Sequence, residues 1–293
     1  MRRILFALLC ASSAVCHAQQ QPDFELMIQG GKDMVKLLWV PNAWPEGVTG
    51  FNVKRRTPGG EWQKLNSDTI ILSNFEADFP TRTSDPDIIE QMKVKRAEMI
   101  AEGNIKAKGL EEHMADMRDP MMVKFTKFVV AQSYIGALVQ GFAFVDSQVP
   151  AADSLEYGLF TVKWSDESAA PVATQTWKPG TMPALELKFG PGEVSGYQMR
   201  SGLAVRWPVD KAEVRAKAVR DFRIMKRDAQ GVVSELGRTS INFAEENPSV
   251  GWFDFDYPHD QPASFFVIPV DVFDFSGTPS AEVAYSREKY PEG

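Results

Sequence analysis

The stretch DFDYPHD, residues 254 to 260, sets Asp254, Asp256, His259 and Asp260 within one short run. Converging oxygen ligands there could hold a hard cation, which wants several carboxylates or carbonyls around it. Phe253, Phe255 and Tyr257 alternate with Trp252, Asp254 and Asp256, however, so the same carboxylates fit the wet face of a strand, and the weight falls on the strand. His113 sits in EEHMADM beside Glu111 and Glu112, with no second histidine at the helical spacing of a zinc motif; it reads as a solvent-facing helix residue. Neither a GxSxG nucleophile turn nor a phosphate-binding glycine loop is present. Glu245, Glu246, Asp271 and Asp274 supply carboxylates without the sign of a shared cleft that a glycosidase pair needs. No catalytic residue and no cofactor are assigned, and the sequence argues against an enzyme.

Two other groups of side chains could bind rather than react. Arg215, Lys217, Arg220, Arg223, Lys226 and Arg227 gather in one stretch that could meet an anionic glycan or lipid headgroup, although Phe222, Ile224 and Met225 give it the pattern of a strand with a basic solvent face. Trp164, Trp177 and Trp252 could stack on sugars, or each could belong to a core.

The elements that must position these residues begin after a leader. MRRILFALLCASSAVCHA opens with Arg2 and Arg3, continues with an apolar run and ends on Ala18, the pattern of a secretory signal peptide over residues 1–18. Its run is shorter than the roughly 20 residues of a membrane span. Cleavage would remove both cysteines, and with Arg2 and Arg3 it would take the 32 basic residues to 30 and the formal net charge from −7 to −9. An exported, disulfide-free, acidic chain is expected, periplasmic, on the cell surface or secreted, with nothing to attract nucleic acid. Bacterial export fits this pattern.

From Phe24 the chain runs in short alternating segments. VKLLWV (35–40) and GFNVKRRTPGGEWQKLN (50–66) read as strands around a Pro58-Gly59-Gly60 turn, and Leu155, Tyr157, Leu159 and Thr161 share a face of a later one. The pattern repeats in GLAVRWPV (202–209), in DFRIMKRDAQGVVSELG (221–237), and in the run through Pro262, Phe266, Ile268, Val270 and Val272. This order, with Trp39 and Trp207 in matching strands, resembles the fibronectin type III domain. The resemblance implies a mainly β protein of two tandem sandwiches, residues 23–178 and 183–290, joined by KPGTMP (178–183). Phe266 stands where that family has a tyrosine, and Pro269 falls inside a strand.

Between Leu72 and Phe142 the alternation stops, and a helical hairpin or three-helix unit at about 84–140 is expected as an insertion in the first sandwich. Ser84, Asp85 and Pro86 start the first helix and Gly103 ends it; a second, weaker helix follows; Pro120 opens a third running to about Gln140, about 30 Å long. KFVVAQSYIGALVQGFAFV (127–145) carries no charge after Lys127 and reads first as a helix buried within the chain, second as a partner-facing surface and last as a membrane span, with Phe142–Val145 restarting the sandwich. Met92, Met99, Met114, Met117, Met121, Met122, Phe125 and Phe128 are the candidate contact residues, since methionine adapts to cores and recognition surfaces alike. The expectation is a non-enzymatic envelope or extracellular scaffold that binds another protein through the insertion, which could also serve self-association. An accessory carbohydrate-binding module comes second and a hydrolase third.

Overall fold

The computed structural model describes residues 22–30, 33–178, 185–196, 202–240, 250–256 and 261–285, with the backbone alone for 195–196, 202, 211, 215–216, 240 and 250–256. The expected leader, the linker beyond Lys178, Glu245, Glu246, His259 and Asp260 lie outside the described residues. The chain is mainly β, in several antiparallel sheets. Its N-terminal part contains β1 (Phe24–Gly30), β2 (Val35–Pro41), β3 (Val48–Arg56), β4 (Gln63–Lys64) and β5 (Ile70–Ile71). A 3₁₀ turn at Glu76–Thr81 leads to four helices, α1 (Pro86–Ala101), α2 (Leu110–Asp116), α3 (Pro120–Gln132) and α4 (Tyr134–Gln140). Strands resume with β6 (Ala143–Asp146), β7 (Leu155–Lys163), β8 (Asp166–Glu167) and β9 (Ala173–Trp177). The C-terminal part holds β10 (Glu193–Gly196), β11 (Gly202–Pro208), α5 (Lys211–Ala216), β12 (Val219–Asp228), β13 (Val233–Ser240), β14 (Val250–Asp256), β15 (Ala263–Asp271) and β16 (Val283–Tyr285).

One sheet orders β1-β2-β6, and a second orders β4-β3-β7-β8 with β5 on β3 and β9 on β7. In β2 the alternation of Val35, Leu37 and Trp39 with Leu38 and Val40 suggests one dry and one wet face. Both faces are buried, and only Lys36 is half-exposed. Trp39 packs on Phe51 of β3 with ring centroids 5.3 Å apart, while α3 also lies against β2. A strand sandwiched between sheet and helix loses the polar alternation that a solvent-backed strand keeps. The turn after β3 follows its sequence: the Gly60 N–H donates to the Thr57 carbonyl at 2.9 Å, and Gly59 takes the φ of +77° that a type II turn requires after proline.

In the C-terminal part the sheets order β10-β11-β14 and β13-β12-β15-β16. Trp207 is buried on β11 as Trp39 is on β2, 5.9 Å from Phe222. Asp228 closes the β12–β13 hairpin, its Oδ1 accepting the N–H groups of Gln230 and Val232. Pro269 is tolerated for a geometric reason. Its carbonyl accepts from Gly277 at 2.7 Å, on the edge away from β12, and β16 pairs only with Ala263–Phe265, so no ladder donor is missing there.

Buried side chains form two clusters, one around Trp39, Phe51 and Tyr157 and one around Trp207, Phe222 and Phe265. Val272 and Phe273 follow β15 in sequence but pack in the first cluster, where Phe273 lies 5.4 Å from the Tyr134 ring and its carbonyl accepts the Lys36 ammonium at 3.1 Å. Burial lowers the Lys36 pKa, against the attraction of Asp274 and Asp271, and burial lifts the Asp271 carboxyl to about 6.

The helices depart from expectation at one point. Asp85 caps α1 through Asp87 N–H and Ile88 N–H, and Gly103 turns the chain out with φ +75°, as the sequence signals. The expected third helix is instead two. Ser133 is extended (φ −156°, ψ 122°), ends α3 and caps α4 by accepting the Gly136 N–H at 3.1 Å. Gly141 then ends α4 at φ +82°, where a Cβ would come within 2.5 Å of the Ile71 carbonyl, so this exit needs glycine for space as well as torsion. Among the described residues no helix is long and apolar enough to cross a membrane.

Candidate functional site

Arg82 anchors the helices to the sheets. Its guanidinium is fully buried and donates to the carbonyls of Leu138 and Val139 (both 2.8 Å), Ser73 (2.7 Å) and Ile71 (3.3 Å), while its Nε is buried without a partner. It thus takes up the carbonyls at the C-terminus of α4, where the helix dipole favours a cation. Burial lowers its pKa to about 10, with Asp78 opposing, so it stays charged at neutral pH.

Packed against α4 and β2, α3 presents three different faces. Successive residues turn by about 100°, so Val123, Thr126 and Val130 share the buried side. Met121, Phe125 and Phe128 share the outer side and are 67, 50 and 61% exposed. Exposed Lys124 and Lys127 run along one margin of that stripe, Lys127 donating to Asn42 Oδ1 at 2.7 Å. Along the other margin Met122, Phe125 and Val129 line a cavity of about 270 Å³ closed by α2 and the loop before it.

The polar wall of that cavity contains His113. The ring is 7% exposed, its Nε2 is buried with no hydrogen-bond partner, and burial together with the nearby Lys108 ammonium lowers its pKa to about 4, so it is neutral. This corrects the expectation of a solvent-facing histidine. Glu112 does face outward, capping the Gly109 N–H, and the next residue, rotated by about 100° around α2, puts His113 on the inner side. Lys108 pairs with Asp116 at 2.5 Å.

The candidate contact residues divide. Met92, Met99 and Met117 are buried, Met92 and Met117 in the first core cluster, and present no surface to a partner; Met114 and Met122 are partly covered; Met121, Phe125 and Phe128 are the exposed ones. The basic stretch is neutralised by carboxylates, some local and some distant in sequence. Lys217 pairs with Glu213, Arg220 with Asp221 and Asp274, Arg223 with Glu235 and Arg227 with Glu282, and Lys226 is also engaged. The Arg215 side chain lies outside the description. Of the tryptophans, Trp177 is buried, whereas Trp164 is 80% exposed at the β7–β8 turn with φ +60°, a left-handed conformation uncommon for a bulky residue. Among the described residues no group of three or more His, Cys, Asp or Glu side chains could hold a metal ion; Asp254 and Asp256 fall on β14, described by backbone alone.

A more polar cavity of about 220 Å³, between β3, β6 and the start of the helical segment, was not legible in the sequence. Beside it, Arg55 pairs with Asp146, which also accepts the Tyr157 hydroxyl at 2.8 Å. These groups satisfy one another, and burial raises the Tyr157 pKa, so the cluster braces β3, β6 and β7.

No family model and no curated protein matches the chain. Among solved structures, the crystal structure of a beta-1,2-glucanase from Parabacteroides distasonis aligns at 10% identity with a TM-score of 0.27, covering 86% of this chain and 30% of that one. The chain therefore spans less than a third of that enzyme, and a likeness of this size carries no argument about fold or activity.

Proposed function

We propose that the protein is an exported, non-enzymatic scaffold or adaptor of the cell envelope or extracellular space, built of two fibronectin type III-like sandwiches, the first carrying the helices α1–α4 as an insertion. On this reading it holds another protein against the outer face of α3. One observation carries it: Met121, Phe125 and Phe128 form a continuous exposed apolar stripe on a helix whose opposite side is packed. Such a stripe stays in water at a loss unless something covers it. The experiment is crosslinking with mass spectrometry in the native host, comparing the wild type with the Met121→Asp/Phe128→Asp double variant. Loss of a wild-type crosslink that maps to α3 supports the assignment, and an unchanged set of crosslinks refutes it.

A second reading, an accessory carbohydrate-binding module, is favoured by Trp164 alone, because an exposed indole on a strained turn presents its face to a sugar ring. Glycan-array binding by the wild type that disappears in Trp164→Ala would move the assignment there.

A further inference from the structure

We infer that the cavity beside α3 is a binding site for a small organic monocarboxylate with an apolar tail. Its walls supply the tail's environment: Ile105, Met117, Met122, Phe125 and Val129 line it, and its volume of about 270 Å³ lies just under the range of small-molecule pockets. The polar groups that also line it are mostly occupied by the protein itself. The Asn74 amide donates to the Lys106 carbonyl (2.7 Å) and its oxygen accepts the Lys108 N–H (2.9 Å), the Asn104 amide donates to Glu102 (2.7 Å), and the Gln140 amide donates to the Gly136 carbonyl (3.4 Å). Besides the Thr126 hydroxyl, two basic groups are left over. Lys106 is exposed and, among the described residues, has no ion-pair partner, while the imidazole of His113 offers a buried nitrogen with no hydrogen bond.

The charges on the lining select the sign of the ligand. Lys108 and Asp116 cancel and His113 is neutral, so Lys106 leaves one uncompensated positive charge. A single ammonium above an apolar cavity suits one carboxylate; a phosphate would ask for several converging donors that are not present. This site shares Phe125 with the partner-binding stripe but not Met121 or Phe128, so the two can be tested separately through those residues.

The test is calorimetric titration of the full chain with octanoate and with neutral octanamide as probes. Expected are saturable 1:1 octanoate binding at least tenfold tighter than octanamide, and a fall to within twofold of octanamide in Lys106→Ala. Met122→Trp, which fills the cavity, should abolish both. Octanoate should also raise the pH at which the His113 ring titrates by nuclear magnetic resonance, since a nearby anion favours the imidazolium. Absence of saturable octanoate binding, equal affinity for octanamide, or unchanged affinity in Lys106→Ala each overturns the proposal. Lys106 is exposed, so that variant decides the matter even if Met122→Trp does not fold. Met121→Asp/Phe128→Asp should leave octanoate affinity unchanged, which separates this outcome from that of the partner-binding assignment.

Discussion

Two buried basic side chains of the helical segment, close enough for the charge of one to act on the other, are treated in opposite ways. Arg82, where α4 meets the sheets, has four carbonyls arranged around it and keeps its charge. His113, on α2 at the cavity, has a ring nitrogen with no partner and is held neutral. The first site is closed and can only hold the structure together. The second has unused bonding capacity next to empty space, which is why the binding inference attaches to it. Arg82 also has a buried nitrogen without a partner, its Nε, but its two terminal nitrogens are taken up by carbonyls and it lines neither cavity; a buried nitrogen left over beside a cavity, as in His113, points outward.

The comparison can be broken at its strongest point first. Arg82→Met removes the donors to four buried carbonyls and should destabilise the fold by about 4 kcal/mol, read from chemical denaturation at neutral pH. A loss under about 1 kcal/mol would mean that the guanidinium is not the anchor. The next effect is one of pH. Because burial holds the His113 pKa near 4 against an ordinary value near 6.5, only the unfolded chain takes up the proton between those values. Stability is therefore complete above pH 6.5 and declines as pH falls toward 4, by about 3 kcal/mol in all. Asp271, raised to about 6, acts with the opposite sign: its contribution is present below its unfolded pKa and lost as pH rises through 6. The two must be separated by comparing wild type with His113→Phe at each pH. The difference should be within about 1 kcal/mol at pH 7 and widen in favour of the variant by pH 4; a gap that stays constant with pH would show that His113 titrates normally. The smallest effect is expected at the stripe. Met121→Asp/Phe128→Asp changes exposed side chains only and should shift the unfolding free energy by about 0.5 kcal/mol or less per site, whatever it does to partner capture.

Signals that act within a few residues were legible in the sequence, and those that depend on distant neighbours were not. Asp85-Pro86 and Gly103 bracket α1, Thr57 to Gly60 turn as read, and the β-rich class follows from the alternation. The break at Ser133 was carried by a short polar pair, Gln132-Ser133, inside an apolar run that otherwise favours a single helix. His113 was misplaced because its sequence neighbours Glu111 and Glu112 are exposed, while its own burial is decided by which side of α2 meets the rest of the helical segment. The methionines separate for the same reason: the apolar character of α3 runs around both faces, so composition could not tell the buried Val123 side from the exposed Met121 side. Arg82 gave no local sign of its role, since its acceptors come from residues 71, 73, 138 and 139.

The β2–β6 ladder joins Val35 to Asp146 and Leu38 to Ala143, with the whole helical segment between its two strands. Such a pairing is among the slow steps of folding, since a long loop must close before any of its hydrogen bonds form. Helices form within microseconds from contacts along the chain, and α1 packs on α4 and α4 on β6. Helix assembly therefore brings β6 back toward β2 and shortens the loop that remains to be closed. Substitutions in α4 should accordingly slow refolding, whereas those on the exposed face of α3 should leave the refolding rate as it is.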